Sequence, residues 1–290
     1  MGMISRLPWW AKLGAKLMLA RLPVPYRIWR RAGLFRHGDM NIPARAVEAF
    51  DNYYRRAIAH EQLVPGFRAL ELGPGDSVLS GLVARAYGAS HVWLVDAGAY
   101  ADTDVFACKE TVNILRALGK AAPDIDGAAS LTEILQRAGV EYLTQGTASL
   151  ASIPDASIDF FWSQVVLEHV LRADFAQLLR ELRRTASPNA IGVHSIDFRD
   201  HLGGGLNNLR FTRAVWEGNA FQESGFYTNR IRPSEMVAMF AEAGFDVTTV
   251  GETRWPNMPI RRERLAPEFH ALPDDDFMVA ELEIILRPKP

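Results

Sequence analysis

The chain has 290 residues, of which 48% are hydrophobic and 23% are charged, and its formal net charge is −2. These values are typical of a soluble protein with one large domain, and the net charge excludes a globally basic nucleic-acid binder. The single cysteine, Cys108, excludes an internal disulfide and a zinc site built from cysteines. A chain without an internal disulfide fits a reducing, cytoplasmic compartment.

The basic residues are unevenly distributed and concentrate at the N-terminus. Before Asp39 the chain has eight lysines and arginines and no acidic residue, which leaves a net charge of −10 on the rest. Lys12 and Lys16 are spaced so that a helix would separate a basic face from an apolar one. We therefore predict that residues 1–62 form a basic helical extension. It either packs on the domain with its basic face in solvent, or rests on anionic lipid with its tryptophans at headgroup depth.

This basic region has no features of a signal peptide or a membrane span. Lys12 and Lys16 interrupt its apolar stretch, and Pro23 and Pro25 stand where a signal peptide needs small residues for cleavage. No stretch of the chain is uncharged over the length of a transmembrane helix. We therefore expect a cytoplasmic protein, with peripheral membrane association through the N-terminal helix as the open alternative.

Helix-like and strand-like segments alternate over the rest of the chain. Helices are predicted at about 42–61, 78–88, 110–119, 130–139, 172–186 and 233–244, and strands at about 67–72, 91–96, 140–145, 157–164, 190–197, 245–251 and 277–288. Such alternation is typical of βαβ crossovers and a mostly parallel sheet with helices on both faces. We predict a turn at 187–189, a polar, Gly-rich segment from 200 to about 228, and an antiparallel last strand that arrives after a non-helical loop.

The motif ALELGPGDS indicates a ligand site at the end of the first predicted strand. Glu71 ends the apolar run, Gly73 and Gly75 follow, and Asp96 closes the next strand. Glycine-rich turns at such strand ends let a nucleotide-like ligand approach the backbone. The carboxylate of Glu71 favours a cation over a pyrophosphate, and Val78 stands where a dinucleotide fingerprint needs a small residue. The pattern therefore favours S-adenosylmethionine (SAM) over NAD(P), with Asp96 suited to the ribose hydroxyls.

With these residues and the stretch GTASLASIPDASIDFFWSQVVLEHV, the chain resembles the class I SAM-dependent methyltransferases of the small-molecule, quinone-biosynthesis type. The resemblance covers roughly 65–200. It implies a Rossmann-like sheet of seven strands, mostly parallel, in the order 3-2-1-4-5-7-6. It also implies one methyltransferase domain over 63–290, with an insertion at 200–232 on the acceptor side. The cofactor contacts that it implies are Glu71, Gly73, Gly75, Asp96, Ala97, Thr147 and Ser163, of which Thr147 stands where the family often has an acid.

Methyl transfer to a hydroxyl usually needs a group that accepts the proton, a task suited to histidine. His194 lies within an apolar strand and is predicted to be a core residue. His169 follows the fourth predicted strand, and His201 follows the fifth, next to Asp200. We therefore take His169, Asp200 and His201 as the catalytic candidates. A packing role is the alternative for each histidine. Asp197, Asp200 and His201 could also hold Mg²⁺, but their spacing is not diagnostic and we predict no metal.

The sequence therefore predicts a SAM-dependent methyltransferase that acts on a small molecule or glycan, at oxygen. The segment 200–232 is rich in amides, arginines and aromatic residues that can bind a sugar or an anionic group. An NAD(P)-linked oxidoreductase and a catalytically degenerate SAM-binding protein remain as alternatives. Nucleic acid is not an expected partner, because the acidic body would repel phosphates. The sequence leaves the oligomeric state open.

Overall fold

A computed structural model of the chain describes residues 8–21 and 40–290. Within these residues one sheet of seven strands has the order β3-β2-β1-β4-β5-β7-β6. The strands are β1 (Arg68–Leu72), β2 (His91–Val95), β3 (Val140–Leu143), β4 (Ile158–Gln164), β5 (Ala186–Asp197), β6 (Phe245–Arg254) and β7 (Val279–Pro288). Strands β1 to β5 pair in parallel, and β7 is antiparallel to both of its neighbours. The predicted fold class and strand order are confirmed.

Helices cover both faces of this sheet. They are α1 (Trp9–Ala20), α2 (Pro43–His60), α3 (Leu79–Ala86), α4 (Val105–Ala117), α5 (Leu131–Ala138), α6 (Arg172–Thr185), α7 (Arg213–Trp216), α8 (Asn219–Gln222), α9 (Pro233–Glu242) and α10 (Asp274–Met278). Helices α2 to α5 pack on one face and α6 and α9 on the other. Local sequence sets several boundaries. The Ser130 side chain caps the start of α5, and Gly139 ends it in the left-handed conformation.

The two faces of the sheet have separate hydrophobic cores. Along β4, Phe160 and Trp162 point to the core under α2, whereas Phe161 points to the core under α6. These three rings are almost fully buried, and each contributes about 1.5–3 kcal/mol by removal of apolar surface from water. Gly192 of β5 stands opposite Phe161, and a Cβ atom there would lie 2.3 Å from the ring. Glycine at this position therefore lets the large ring pack on the strand.

Three predicted irregular segments contain more regular structure than expected. The turn predicted at 187–189 is instead the first part of β5, which the Ser187 hydroxyl anchors by donating to Asp159 at 2.9 Å. The pairing of β5 with β4 shifts in register between Ile158 and Phe160, which accommodates the extra residues of β5. The polar segment after β5 contains α7, α8 and a 3₁₀ turn, and the loop before β7 contains 3₁₀ turns and α10. Clusters around Trp216 and Phe269 bury apolar side chains in both segments.

The predicted N-terminal extension divides into two parts with different surroundings. Helix α2 belongs to the core, where Phe50 and Tyr53 are buried. Helix α1 packs on the segment after β5, where Leu13 is buried in one cluster with Trp216. The packed face of α1 includes Lys16, so its exposed face is not the predicted basic one. Residues 22–39 lie outside the described residues.

The outward face of α1 is largely apolar. Trp10 is 63% exposed and Met18 is 71% exposed, and Gly14 lies between them at helical spacing. Among the described residues, no helix combines the length and the apolar character that a membrane crossing needs.

Candidate active site

The turn after β1 has the backbone conformation that its glycines allow. Gly73 has φ = +67° and Gly75 has φ = +65°, values at which other residues are strained. The Gly73 N–H donates to the Val95 carbonyl at 2.8 Å, which ties this turn to β2. A Cβ atom on Gly73 would lie 2.5 Å from Val166, which follows β4. The turn is therefore a bare backbone surface at the carboxyl ends of β1, β2 and β4.

Val165, next to Val166, has a strained backbone. Its φ is +55°, although a β-branched side chain disfavours the left-handed region. Its N–H donates to the Ser195 carbonyl at 2.8 Å, and its side chain is 40% exposed. Such strain is concentrated at functional sites, and here it lies beside the glycine turn.

Asp96 lies at the end of β2 and holds the adjoining loops together. One carboxylate oxygen accepts from the Gly75 N–H at 2.8 Å, and the other accepts from the Ala97 N–H at 2.7 Å. The Asp96 carbonyl accepts from the Gly146 N–H at 2.8 Å, which brings Thr147 to the same edge of the sheet. A carboxylate accepts hydrogen bonds and is therefore the type of group that suits the ribose hydroxyls.

Glu71 is a buried carboxylate on the same side of the sheet as Asp96. It accepts hydrogen bonds from the Ser80 hydroxyl and from the Trp162 side chain. Burial, with a smaller contribution from the neighbouring Asp96, raises the pKa of Glu71 to about 7 although the hydrogen bonds from Ser80 and Trp162 lower it. A cation bound nearby would favour the charged form of this group. The two carboxylates and the bare glycine turn therefore fit the sulfonium, the ammonium and the ribose of SAM.

Ser163 does not lie where a residue that contacts the cofactor would. Its side chain is fully buried, and its hydroxyl shares a hydrogen bond of 2.7 Å with Nδ1 of His194. The alternation along β4 places Ser163 on the face of Phe161, opposite to the face that carries Trp162 and Glu71. The expectation that Ser163 contacts the cofactor is corrected, because its hydroxyl is bonded to His194 on the other face of the sheet.

His194 is the core residue that its apolar surroundings predict. Its ring lies 5.5 Å from that of Phe161 and 6.1 Å from that of Phe240. Burial lowers its pKa to about 3, so the imidazole is neutral. Its Nε2 is buried without a hydrogen-bond partner. This histidine therefore faces the core and not a ligand.

His169 and His201 come together at the carboxyl ends of β4 and β5. Their Nε2 atoms lie 3.2 Å apart, and Nδ1 of His169 lies 2.9 Å from the Tyr227 carbonyl. A carbonyl only accepts, so Nδ1 of a neutral His169 carries the proton and its Nε2 accepts from His201. The proton of a neutral His201 is then on Nε2. Its Nδ1 has the lone pair, and no described residue bonds to that atom.

The surroundings of His201 keep it neutral. Burial lowers its pKa to about 4, and the nearby His169 and Lys16 contribute in the same direction. The Lys16 ammonium donates to the His201 carbonyl at 2.8 Å. At neutral pH the lone pair of Nδ1 is therefore available to accept a proton.

Asp200 holds the loop that carries His201. Its carboxylate accepts hydrogen bonds from the backbone N–H groups of Leu202, Gly204, Gly205 and Asn207, and from the Asn207 side chain. It is 3% exposed. The expectation that Asp200 is catalytic is corrected, because these bonds occupy the carboxylate and give it a positioning role.

The Mg²⁺ alternative finds no support in the described part of the chain. No group of three or more His, Cys, Asp and Glu side chains there is placed to hold a metal ion. Asp197 pairs with Arg199 at 2.9 Å, and Asp200 is bonded to its own loop.

Sequence reasoning missed three residues around this site. Lys16 reaches His201 from α1, and the Tyr53 hydroxyl donates to the Ser195 hydroxyl at 2.8 Å. Glu168 is buried beside His169, and burial raises its pKa to about 8. Only Glu168 had a local signal, since it stands within the LEHV motif. Lys16 and Tyr53 become neighbours of the site only through the tertiary fold.

Comparisons with known proteins show similarity to methyltransferases. Residues 70–193 match a family model described as a methyltransferase domain. A search of curated proteins gave no match. Among solved structures, a SAM-dependent methyltransferase from Methanosarcina mazei is 16% identical, with 80% of this chain and 97% of that chain covered and a TM-score of 0.48. YcgJ from Bacillus subtilis is 14% identical, with 84% and 99% covered and a TM-score of 0.47.

Residues 70–193 match a methyltransferase domain, and the order of the seven strands is that of a Rossmann-like methyltransferase fold; together they support a class I SAM-dependent methyltransferase with SAM as its cofactor. The resemblance stated from the sequence is thereby confirmed, and the oxidoreductase alternative has no support.

Proposed function

We propose that the protein transfers the methyl group of SAM to an oxygen of a small-molecule or glycan acceptor. In this proposal Glu71 contacts the positively charged part of the cofactor and Asp96 binds its ribose. Gly73 and Gly75 provide close backbone approach, and Ala97 and Thr147 border the adenine. Support for an oxygen acceptor comes from Nδ1 of His201, to which no residue in the described part of the chain bonds and whose ring contacts His169 at the same end of the sheet.

The chemistry needs alignment and removal of one proton. SAM supplies an activated methyl carbon whose bond to sulfur breaks as the acceptor oxygen bonds to it. The protein aligns the acceptor and excludes water, and proximity of this kind contributes about 7–11 kcal/mol. The acceptor hydroxyl gives its proton to Nδ1 of His201. His169 keeps that imidazole in the required tautomer through the Nε2 contact.

His201→Asn tests this role. We expect the variant to bind S-adenosylhomocysteine as tightly as the wild-type protein, and to lose at least about 100-fold in methyl transfer, since general base catalysis contributes about 10²–10⁴-fold. Binding is measured by calorimetry, and turnover by S-adenosylhomocysteine release with a panel of phenols and sugars. Unchanged turnover in the variant would refute the assignment. Cofactor binding by the wild-type protein without turnover across the panel would favour the catalytically degenerate alternative.

We also propose that the protein works in the cytoplasm and that α1 makes a peripheral contact with anionic membrane. Support comes from the exposed Trp10 and Met18 on its outward face and from the lack of any acid before Asp39. Sedimentation with vesicles that contain anionic lipid should show binding that weakens with salt. Trp10→Glu with Met18→Glu should abolish it, whereas Phe106→Glu, at another exposed aromatic side chain, should not. Equal binding by all three proteins would contradict the contact.

A further inference from the structure

Three basic side chains on the acceptor side lack a carboxylate partner. They are Lys16 on α1, Arg210 in the 3₁₀ turn Asn207–Arg210, and Arg264 in the 3₁₀ turn Arg262–Arg264. Within the described residues, none of them has an acidic group at salt-bridge distance. The negative charge that acts on both Lys16 and Arg210 is that of Asp200, whose oxygens already accept the hydrogen bonds of its own loop.

Helix α1 links Lys16 and Arg210 into one strip beside the histidine pair. The Lys16 ammonium bonds to the His201 carbonyl, and the Arg210 guanidinium lies 5.2 Å from the centre of the Trp9 ring. Trp9 and Lys16 are seven residues apart on the packed face of α1, which is about 10 Å along the helix axis. The strip therefore runs from His201 to Arg210 over about the length of a small organic acid or sugar phosphate.

Arg264 adds a second guanidinium at the far end of this strip. The Ala266 N–H donates to the Leu209 carbonyl at 2.8 Å, which places the turn of Arg264 beside Arg210. Burial lowers the pKa of Arg210, and the positive charge of Arg264 lowers it further. Arg264 is exposed, so its five N–H groups are accessible.

Several other arginines of the same half of the molecule have a carboxylate partner. Arg199 pairs with Asp197, Arg262 with Asp274 and Arg230 with Glu217. Grouping like charges without a counter-charge costs free energy, and a surface of one sign attracts a ligand of the other sign. An anion is therefore the ligand that this arrangement suits.

We propose that the methyl acceptor carries an anionic group, a carboxylate or a phosphate, which Arg210 and Arg264 bind while Lys16 holds its reacting end beside His201. Guanidinium groups bind both anions through paired N–H donors. The proposal rests on the proposed methyl transfer and specifies the acceptor class.

Calorimetry on the full, cofactor-free chain tests the anion site without any turnover. One arm uses inorganic phosphate and the other uses benzoate, so that they separate the two anion types. We expect the double variant Arg210→Gln, Arg264→Gln to weaken binding of the preferred anion at least about tenfold. The matched control, Arg213→Gln with Arg261→Gln, removes the same charge at two exposed arginines and should change binding less than about twofold. No binding of either anion by the wild-type chain, or an equal loss in the control, would overturn the proposal.

A second measurement locates the bound anion. The guanidinium Nε–H resonances of Arg210 and Arg264, assigned with Arg210→Gln and Arg264→Gln, are followed by NMR as the preferred anion is added. We expect both resonances to shift and those of Arg213 and Arg261 to stay in place, and unchanged resonances of Arg210 and Arg264 would contradict this placement of the anion. Because neither experiment uses SAM, anion binding without methyl transfer would refute the proposed reaction but not this site.

Discussion

The buried carboxylate of Glu71 should make cofactor binding depend on pH. In the ligand-free protein its pKa is raised from 4.5 to about 7. If the bound, positively charged cofactor returns the pKa of Glu71 to its ordinary value, the cofactor binds to the protein with a charged Glu71. That charged form becomes populated as pH rises towards 7. The linkage between these two values gives an increase of about tenfold in the association constant between pH 5.5 and pH 7.

The Glu71→Gln variant isolates this contribution. Glutamine keeps the size of the side chain and a hydrogen-bond acceptor, but it has no charge, so its binding should be weaker at pH 7 and nearly independent of pH. The assay is calorimetric titration with SAM at several pH values, with the wild-type protein alongside. A flat wild-type profile, or the same slope in the variant, would refute the reasoning.

Folding stability provides a second readout of the same group. A carboxyl whose pKa is raised on folding stabilises the native state below its ordinary pKa, and this stability is lost as pH rises through about 7. At high pH, where Glu71 is charged in the folded and the unfolded state, the raised pKa lowers the free energy of unfolding by up to about 3 kcal/mol. This follows from about 1.4 kcal/mol for each unit between the folded and the ordinary pKa. Glu71→Gln should therefore raise the free energy of unfolding at pH 8 and leave it nearly unchanged at pH 4.

Three further substitutions test the site and the sheet. Asp96→Asn should weaken binding of S-adenosylhomocysteine at least about tenfold in calorimetry, because hydrogen bonds to a charged acceptor contribute about 1.5–3 kcal/mol; equal affinity would remove Asp96 from the ribose site. Val165→Gly should raise the free energy of unfolding in urea by up to about 1 kcal/mol, because it relieves the left-handed strain, and a clear loss would contradict that strain. Gly192→Ala should lower it by about 1–3 kcal/mol through the clash with Phe161, whereas a neutral result would mean that the ring can move.

The sequence predicted the sheet because its signals were local. Each strand was a short apolar run, and Glu71 and Asp96 ended two of them. Parallel strands place their carboxyl ends at one edge, so the pattern also predicted which residues would meet. The turn expected at 187–189 was different, because its outcome depended on how β5 pairs with β4, where the register shifts at these residues, and local sequence does not specify that pairing.

The parts of the site that sequence did not predict depend on side-chain direction and on distant partners. Ser163 stands at a strand end as expected, but alternation along β4 turns it towards His194 on the other face. Asp200 stood beside His201 as a catalytic candidate, yet its oxygens bond to the loop that follows it. Lys16 reaches the site from a helix far away in the chain. Sequence spacing does not show these tertiary contacts.

A crystal structure of the full chain with S-adenosylhomocysteine tests the central claim most directly. The account predicts the ribose on Asp96, the nucleoside along the glycine turn of Gly73 and Gly75, and the sulfur atom directed to the space beside His201. A nucleoside bound elsewhere, or a sulfur atom on the far side of the sheet from His201, would contradict it.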